Sequence, residues 1–190
     1  MDNQNIPSGI IRCTWGNSGG NLMRSYHDRQ WGKPCFEEQV LFEMLILEGA
    51  QAGLSWSTIL NKRENYRVAF DDWDIVKIAG YGEDKISELL QNSGIIRNKL
   101  KIAGAVTNAQ AVIKHGPLCD LIWAYVDGKP IINHWQTQEE MPASTLLSDK
   151  ISKDMKKLGF KFIGSTIIYS YLQAIGAVND HIETCAFKYN

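Results

Sequence analysis

Between Leu41 and Trp56 the chain places a carboxylate where helical periodicity demands an apolar residue. In Leu41-Phe42-Glu43-Met44-Leu45-Ile46-Leu47-Glu48-Gly49-Ala50-Gln51, positions 41, 44, 45 and 48 share one face of a helix. Leu41, Met44 and Leu45 make that face a buried one and carry Glu48 inward, whereas Glu43 falls on another side and is expected to reach water. An unpaired carboxylate in an apolar interior is costly. It needs a permanent partner, or a cationic or hydrogen-bond-donating ligand that arrives later. From pattern alone both readings stay open, because a Glu ending an apolar helix also serves as a cap or in an ion pair.

The chain has 190 residues and 44% hydrophobic content, enough for one domain with a sizeable core. A formal charge of -1 and a pI near 6.4 argue against an indiscriminate nucleic-acid binder, so any DNA contact must be local. Basic residues cluster at Lys62, Arg63 and Arg67, at Arg97, Lys99 and Lys101, and at Lys153, Lys156, Lys157 and Lys161, and each cluster alone also reads as a solvated helix face. The first dozen residues lack a basic start followed by an apolar run, so no signal peptide and a cytoplasmic location are expected. The uncharged stretch from Phe162 to Asn179 is too polar for a membrane helix and reads as a core helix. Four cysteines in such a chain suggest thiols or metal ligands rather than a disulfide framework.

Residues 1–10 lack periodicity and read as a leader, with a single domain over 11–190. A Gly- and Asn-rich loop, Gly16 to Asn21, separates Trp15 from a short helical segment carrying Tyr26 and His27. Helical patterns then cover about 37–50, 54–70, 74–79, 83–92, 95–114, 118–126, 144–158 and 165–177, with a turn at Asp127 to Pro130 and an extended stretch at Ile131 to Trp135. No strand alternation is sustained enough for a sheet, so the expected fold is all-α.

Three constellations carry chemistry. Leu147, Ile151, Met155 and Leu158 form a stripe that stops at Gly159, and Ser165 is placed to cap a second apolar helix after Gly164. Two helices so joined are either an ordinary packed hairpin or, since glycines and a helix N-terminus admit a phosphate closely, a grip on a DNA backbone. Cys13, His27, His181 and Cys185 supply two thiols and two imidazoles, the last pair at a spacing that would put both on one face of a helical turn. By spacing alone the metal case is poor, because the two pairs lie far apart in the sequence, and buried thiols with hydrogen-bonded histidines are the default reading; Cys35 and Cys119 read as plain thiols. Trp15, Tyr26, Trp31, Trp56 and Tyr66 concentrate aromatic surface early in the chain, while Trp73, Trp123 and Trp135 read as core. A flipped purine needs such π-faces and a hydrogen-bonding group at its edge.

Tyr26-His27-Asp28-Arg29-Gln30-Trp31-Gly32, Leu47-Glu48-Gly49-Ala50-Gln51-Ala52-Gly53-Leu54-Ser55-Trp56, Lys62-Arg63-Glu64-Asn65-Tyr66-Arg67, Gly94-Ile95-Ile96-Arg97-Asn98-Lys99, Gly159-Phe160-Lys161-Phe162-Ile163-Gly164 and Val178-Asn179-Asp180-His181 with Cys185 together resemble the DNA-3-methyladenine glycosylase I family. The resemblance spans about residues 11–187. It implies a helix-hairpin-helix fold, with the hairpin at about 147–177 and Gly159, Lys161, Gly164 and Ser165 holding DNA. It also implies a structural zinc ion on Cys13, His27, His181 and Cys185 that joins the two termini. Glu48 and Tyr26 would contact the base edge, with Trp56 stacking, Trp15 closing the pocket and Glu48 in the catalytic position. The implied reaction hydrolyses the N-glycosidic bond of 3-methyladenine in double-stranded DNA, leaving an abasic site and the free base, and a monomer is expected. No Lys follows the hairpin where a Schiff-base nucleophile would stand, so monofunctional chemistry is expected. Asp180, near the place where many helix-hairpin-helix glycosylases carry an Asp, is assigned no catalytic role. Gly20-Asn21 stands where the family often has Asp-Pro, and Gln30 where Glu is usual, which affects a turn and a surface position. The competing reading is a non-catalytic, zinc-stapled helical module that only binds DNA.

Overall fold

The computed structural model of the protein describes residues 9–189, so the expected leader lies almost wholly outside the described residues. The α-helices are α1 (Thr14–Ser18), α2 (Gly20–Arg29), α3 (Glu38–Gln51), α4 (Trp56–Ala69), α5 (Ile75–Ala79), α6 (Glu83–Gln91), α7 (Lys99–His115), α8 (Leu118–Trp123), α9 (Leu146–Lys157) and α10 (Ser165–Ala174). One exception to the all-α expectation occurs: β1 (Ile131–Ile132) pairs in parallel with β2 (Val178–Asn179), Ile131 opposite Val178. Two-residue strands are too short to display a period of two, so the pairing left no trace in the pattern.

The loop expected from Gly16 to Asn21 is largely helical. Gly20, at φ +78°, turns the chain sharply between α1 and α2. Gly16 lets α1 lie directly on His27, since a Cβ there would sit 2.6 Å from the imidazole Cδ2. Helix α7 starts later than expected because Asn98 accepts from the Lys101 N–H at 3.1 Å and caps it. The core helix expected over 162–179 is divided into a turn, α10 and β2. Gly176, at φ +70°, ends that run against the backbone of Lys33, where an added Cβ would lie 2.1 Å from a carbonyl carbon.

Helix α3 runs through the centre, against α4, α7, α8 and α10. Every residue from Leu41 to Ala50 is buried, so the helix has no wet face. The expectation that Glu43 reaches water therefore fails: it is 6% exposed and held by Arg63 in a two-pronged pair, Nε to Oε1 and Nη2 to Oε2 at 2.8 Å each. The gap between α3 and α4 is a turn with Gly53 at φ +84°, after which Ser55 caps α4 by accepting from the Thr58 N–H at 3.2 Å.

Helices α9 and α10 pack as the expected hairpin, with Ile151 and Met155 buried and Leu147 and Leu158 partly so. Thr145 and Ser148 form a reciprocal cap at the start of α9, and Gly159, at φ +95°, ends it. Ser165 is not the cap of α10. Gly164 occupies that position, and the Ser165 hydroxyl is engaged by Ser148 Oγ at 3.0 Å and by the Asp149 carboxylate. Among the described residues no helix is long and apolar enough to cross a membrane.

Candidate active site

Helices α1, α2, α3, α4 and α10 enclose a cavity of about 370 Å³ whose walls include Trp15, Tyr26, Trp31, Glu48, Trp56 and Gln173. That volume falls within the range of small-molecule sites. Trp56, at the first position of α4 just after the Gly53 turn, lines the same cavity as Glu48, and its ring centroid lies 5.2 Å from that of Tyr26. The Trp15 ring centroid lies 6.2 Å from that of Tyr26. The buried Trp56 indole N–H has no partner among the described residues. A second cavity of about 170 Å³ shares Glu48 and Gln51 with the first and extends past Leu54 to Thr166 and Ser170 on α10. The base-sized cavity and the hairpin thus meet at Glu48.

Glu48 is 4% exposed and forms no hydrogen bond or ion pair with the described residues. Burial alone pushes its carboxyl up to about 8. Burial, then the charge of Glu48, pushes the Tyr26 phenol well above its ordinary value, so Tyr26 remains a hydroxyl. The inward carboxylate read from periodicity is present, and it is the uncompensated one. Trp73 and Trp123 are core as expected, whereas Trp135 is half-buried and donates its indole N–H to Asp180 at 2.7 Å.

Cys13, His27, His181 and Cys185 converge, all buried, with their four donor atoms within 4.8 Å of one another. Cys185 Sγ lies 3.3 Å from His181 Nδ1 and 3.7 Å from His27 Nε2, and Cys13 Sγ lies 3.6 Å from His181 Nδ1. Edges of a tetrahedron with zinc-like bond lengths measure about 3.3–3.8 Å. The far ring nitrogens are fixed: His27 Nδ1–H donates to Asp28 Oδ1 at 2.8 Å, and His181 Nε2–H donates to the Trp31 carbonyl at 3.0 Å. Each ring therefore turns a lone pair to the centre, the outer arrangement typical of metal-ligating histidines. Arg12 in turn holds Asp28. His181 and Cys185 do so from an irregular turn, not from the helical turn suggested by their spacing, with Cys185 N–H bonded to the Ile182 carbonyl. This buried cluster could hold a metal ion, and it joins the N- and C-terminal regions. It also props the cavity, since Trp15 lies 5.0 Å from His27 and Trp31 lies 4.6 Å from His181, centroid to centroid.

The structure does not bring every basic residue to a free surface. Arg63 is committed to Glu43, Arg67 to Glu64 and Asp72, Lys62 to the Ser93 and Gly94 carbonyls, and Lys101 to the Ala50 and Ala52 carbonyls. Lys161 differs: its ammonium is exposed and outside every ion pair, while its backbone is clamped by the buried Asn108, which accepts from its N–H at 2.7 Å and donates to its carbonyl at 3.1 Å. Sequence reasoning missed Asn108, Gln173 and the Arg12–Asp28 support. Of these only Asp28, a carboxylate beside a candidate ligand, carried a local signal.

A helical scaffold that sets a base-sized aromatic cavity beside a hairpin suits an enzyme that acts on a base of a nucleic acid. The chain belongs to the methyladenine glycosylase family, whose sequence pattern it matches over residues 15–189. It is 47% identical over 178 residues to DNA-3-methyladenine glycosylase 1 of Escherichia coli (strain K12), across 92% of this chain and 95% of that protein. A crystal structure of 3-methyladenine DNA glycosylase I superposes with a TM-score of 0.89 at 46% identity, covering 93% of this chain and 98% of the other. A tyrosine-to-phenylalanine variant of such an enzyme, solved in complex with 3-methyladenine, superposes with the same TM-score of 0.89 at 32% identity, covering 93% and 97%.

The Glu48 environment sets a stability test. Its carboxyl binds its proton more tightly in the folded chain, at about 8, than in the unfolded chain near 4.5, so stability is lost as pH rises from about 4.5 to about 8 and then levels. Glu48→Gln removes that dependence. The variant should be more stable than the parent by on the order of 1–3 kcal/mol at pH 8, with little difference at pH 4, in chemical denaturation across that range.

Proposed function

We propose that Glu48, Tyr26, Trp56 and Trp15 form the pocket in which this DNA-3-methyladenine glycosylase receives a flipped 3-methyladenine, with Glu48 as the residue that selects the cationic base. The chain removes 3-methyladenine from DNA; the residue roles are the proposal. The observation that supports it most directly is the buried, partnerless carboxylate facing an aromatic cavity. N3 methylation gives the purine a positive charge while it remains attached to the sugar. A buried anion compensates that charge and leaves neutral purines unrewarded. Trp56 and Trp15 offer faces for stacking, and Tyr26 and the free Trp56 N–H offer donors.

The charge on the base also serves the chemistry. As the N-glycosidic bond breaks, its electron pair returns to the ring, so the base leaves neutral without protonation by an acid. Water adds its oxygen to the sugar carbon and gives its proton to solvent. The product is an abasic site, and the reaction is monofunctional. A non-catalytic module would gain nothing from a carboxylate that destabilises the empty fold.

The N-terminus of α10 is the proposed grip on the DNA backbone. Its first N–H groups have no intrahelical acceptors, Gly164 leaves open space beside them, and Gly159 and Lys161 shape and charge the turn. Ser165 contributes through its backbone, because its hydroxyl is engaged by Ser148 and Asp149. The donor set of the buried cluster suits zinc, which would be held by Cys13, His27, His181 and Cys185. With all four positions filled by protein, it would cross-link the termini and take no part in catalysis.

Glu48→Gln should lower excision of 3-methyladenine by roughly one to two powers of ten, the value of a charge-assisted hydrogen bond. In the parent, kcat/KM should rise with pH up to about 8, because below that the Glu48 proton competes with the cationic base; the Gln variant should lack this limb. Base release from methylated DNA across pH measures both, and undiminished release by the variant would overturn the assignment.

Purified protein should contain one zinc ion per chain by elemental analysis. Replacing Cys185 with Ser should abolish stoichiometric metal and lower thermal stability far more than it changes turnover of the folded fraction. Metal-free protein of undiminished stability would contradict the zinc assignment.

Gly164→Val or Lys161→Glu should weaken binding to duplexes of unrelated sequence to a similar degree, since phosphate contacts carry no base information. Fluorescence anisotropy at moderate salt tests this, and unchanged affinity in folded variants would remove the hairpin as the grip.

A further inference from the structure

Asp180 is fully buried and forms no ion pair with the described residues. Four neutral donors surround its carboxylate instead. Asn133 Nδ2 and Trp135 Nε1 each donate to Oδ1 at 2.7 Å, while Tyr169 Oη donates to Oδ2 at 2.5 Å and Gln173 Nε2 donates to the same oxygen at 2.6 Å. In all four contacts the carboxylate oxygens accept, so each neighbour is held with its donor turned toward Asp180. One of them, Gln173, lines the base cavity together with Glu48.

We infer that Asp180 is a positioning residue for base recognition: it fixes the Gln173 amide with its nitrogen turned away and its carbonyl oxygen available to the cavity, where it reads a hydrogen-bond donor on the purine edge. The inference rests on the pocket assignment proposed above and extends it to the choice between purines. The two ends of an amide have similar shape and opposite polarity, so the surrounding network decides its orientation. Rotating the Gln173 amide by half a turn would set Oε1 against a carboxylate oxygen. In the observed orientation Oε1 accepts no hydrogen bond from the described residues. The cavity therefore presents two acceptors, the Glu48 carboxylate and Gln173 Oε1. Adenine carries an amine donor at its 6-position where guanine carries a carbonyl acceptor, so an acceptor fixed in the cavity favours methylated adenine over methylated guanine. A buried acceptor facing another acceptor is worse than an unused site, because both stay unsatisfied.

Trp135 sets the direction of the whole arrangement. An indole N–H can only donate, whereas a tyrosine hydroxyl and a glutamine amide can each reverse. In Asp180→Asn the new NH2 group is thus excluded from the side of Trp135 and turns toward Tyr169 and Gln173. Gln173 then meets a donor, rotates, and presents its own NH2 to the cavity.

The test measures release of 3-methyladenine and of 3-methylguanine from the same methylated DNA, using Gln173→Leu, Asp180→Asn, the double variant and Asn133→Ala. Gln173→Leu should lower the adenine-to-guanine ratio by about tenfold, the value of one hydrogen bond with its unsatisfied alternative. Asp180→Asn should lower the ratio at least as far, because the rotated amide donates to the guanine carbonyl. The double variant should match Gln173→Leu alone, since Asp180 acts through Gln173. Asn133→Ala removes a donor from the other carboxylate oxygen, Oδ1, and leaves the Gln173 contact at Oδ2 in place, so it should reduce stability while leaving the ratio unchanged. A Gln173→Leu variant with the parental ratio would overturn the inference, whether or not Asp180→Asn folds. So would an Asp180→Asn variant that loses stability and total activity at a constant ratio, or effects of the two substitutions that multiply. If the ratio stays constant while Glu48→Gln still loses excision, only this inference falls; if Glu48→Gln retains excision, the pocket reading falls with it.

Discussion

Helix α3 has no contact with bulk water along most of its length, and that single constraint organises the polar chemistry around it. Each polar side chain on the helix needs a partner from another element. Glu38 takes the N–H groups of Leu118 and Cys119 at 2.7 and 3.0 Å and so caps α8. Gln39 donates to the Asp72 carbonyl at 2.6 Å, and Glu43 is paired with Arg63. At the far end Lys101 donates to the Ala50 and Ala52 carbonyls at 2.8 and 2.9 Å and satisfies backbone groups the helix cannot use itself. Glu48 and Gln51 remain without such partners, and both line the cavity. A buried helix that satisfies every polar group except those facing one cavity marks where an outside molecule completes the structure.

The walls of that cavity depend on a second constraint, the convergence of the two ends of the chain. Trp15 and Trp31 pack against the imidazoles of His27 and His181, and those imidazoles are oriented by Asp28 and the Trp31 carbonyl. The β1–β2 pairing and the Asp180 network fasten the same region to the segment around Trp135. A metal ion at the four donors would therefore act on base recognition only by holding aromatic walls in place. That role would account for a site without an open coordination position lying so near the proposed base pocket.

Much of this was legible in the sequence, for a physical reason in each case. Glu48 stood out because helical periodicity forced it inward, and the two glycine-bounded helices of the hairpin announced themselves by their stripe and stops. The family resemblance identified the four metal-ligand candidates, whose spacing alone carries almost no information. Glu43 misled because periodicity assumes that a helix has a wet face, and α3 has none. Ser165 misled because a residue suited to capping found better partners in Ser148 and Asp149, leaving the cap position to Gly164. Gln173 and Asn108 were invisible because their roles come entirely from distant segments, and no local pattern records which end of an amide faces which neighbour.

The same imbalance that makes Glu48 costly also gives the proposed pocket a direction. While the base is bonded to the sugar it is a cation, and an ionised Glu48 beside it is compensated. Once the bond is broken the base is neutral and the buried carboxylate loses its counter-charge. Burial that lifts its proton affinity to about 8 then favours recapture of a proton at neutral pH. The pocket thus holds charged substrate in one protonation state and meets neutral product in the other. A permanent cationic partner for Glu48, such as Arg63 provides for Glu43, would stabilise the empty fold and abolish that difference. In the proposed pocket, the stability forgone by leaving one of two buried glutamates unpaired would be what lets the site distinguish a methylated base from an ordinary one, and substrate from product.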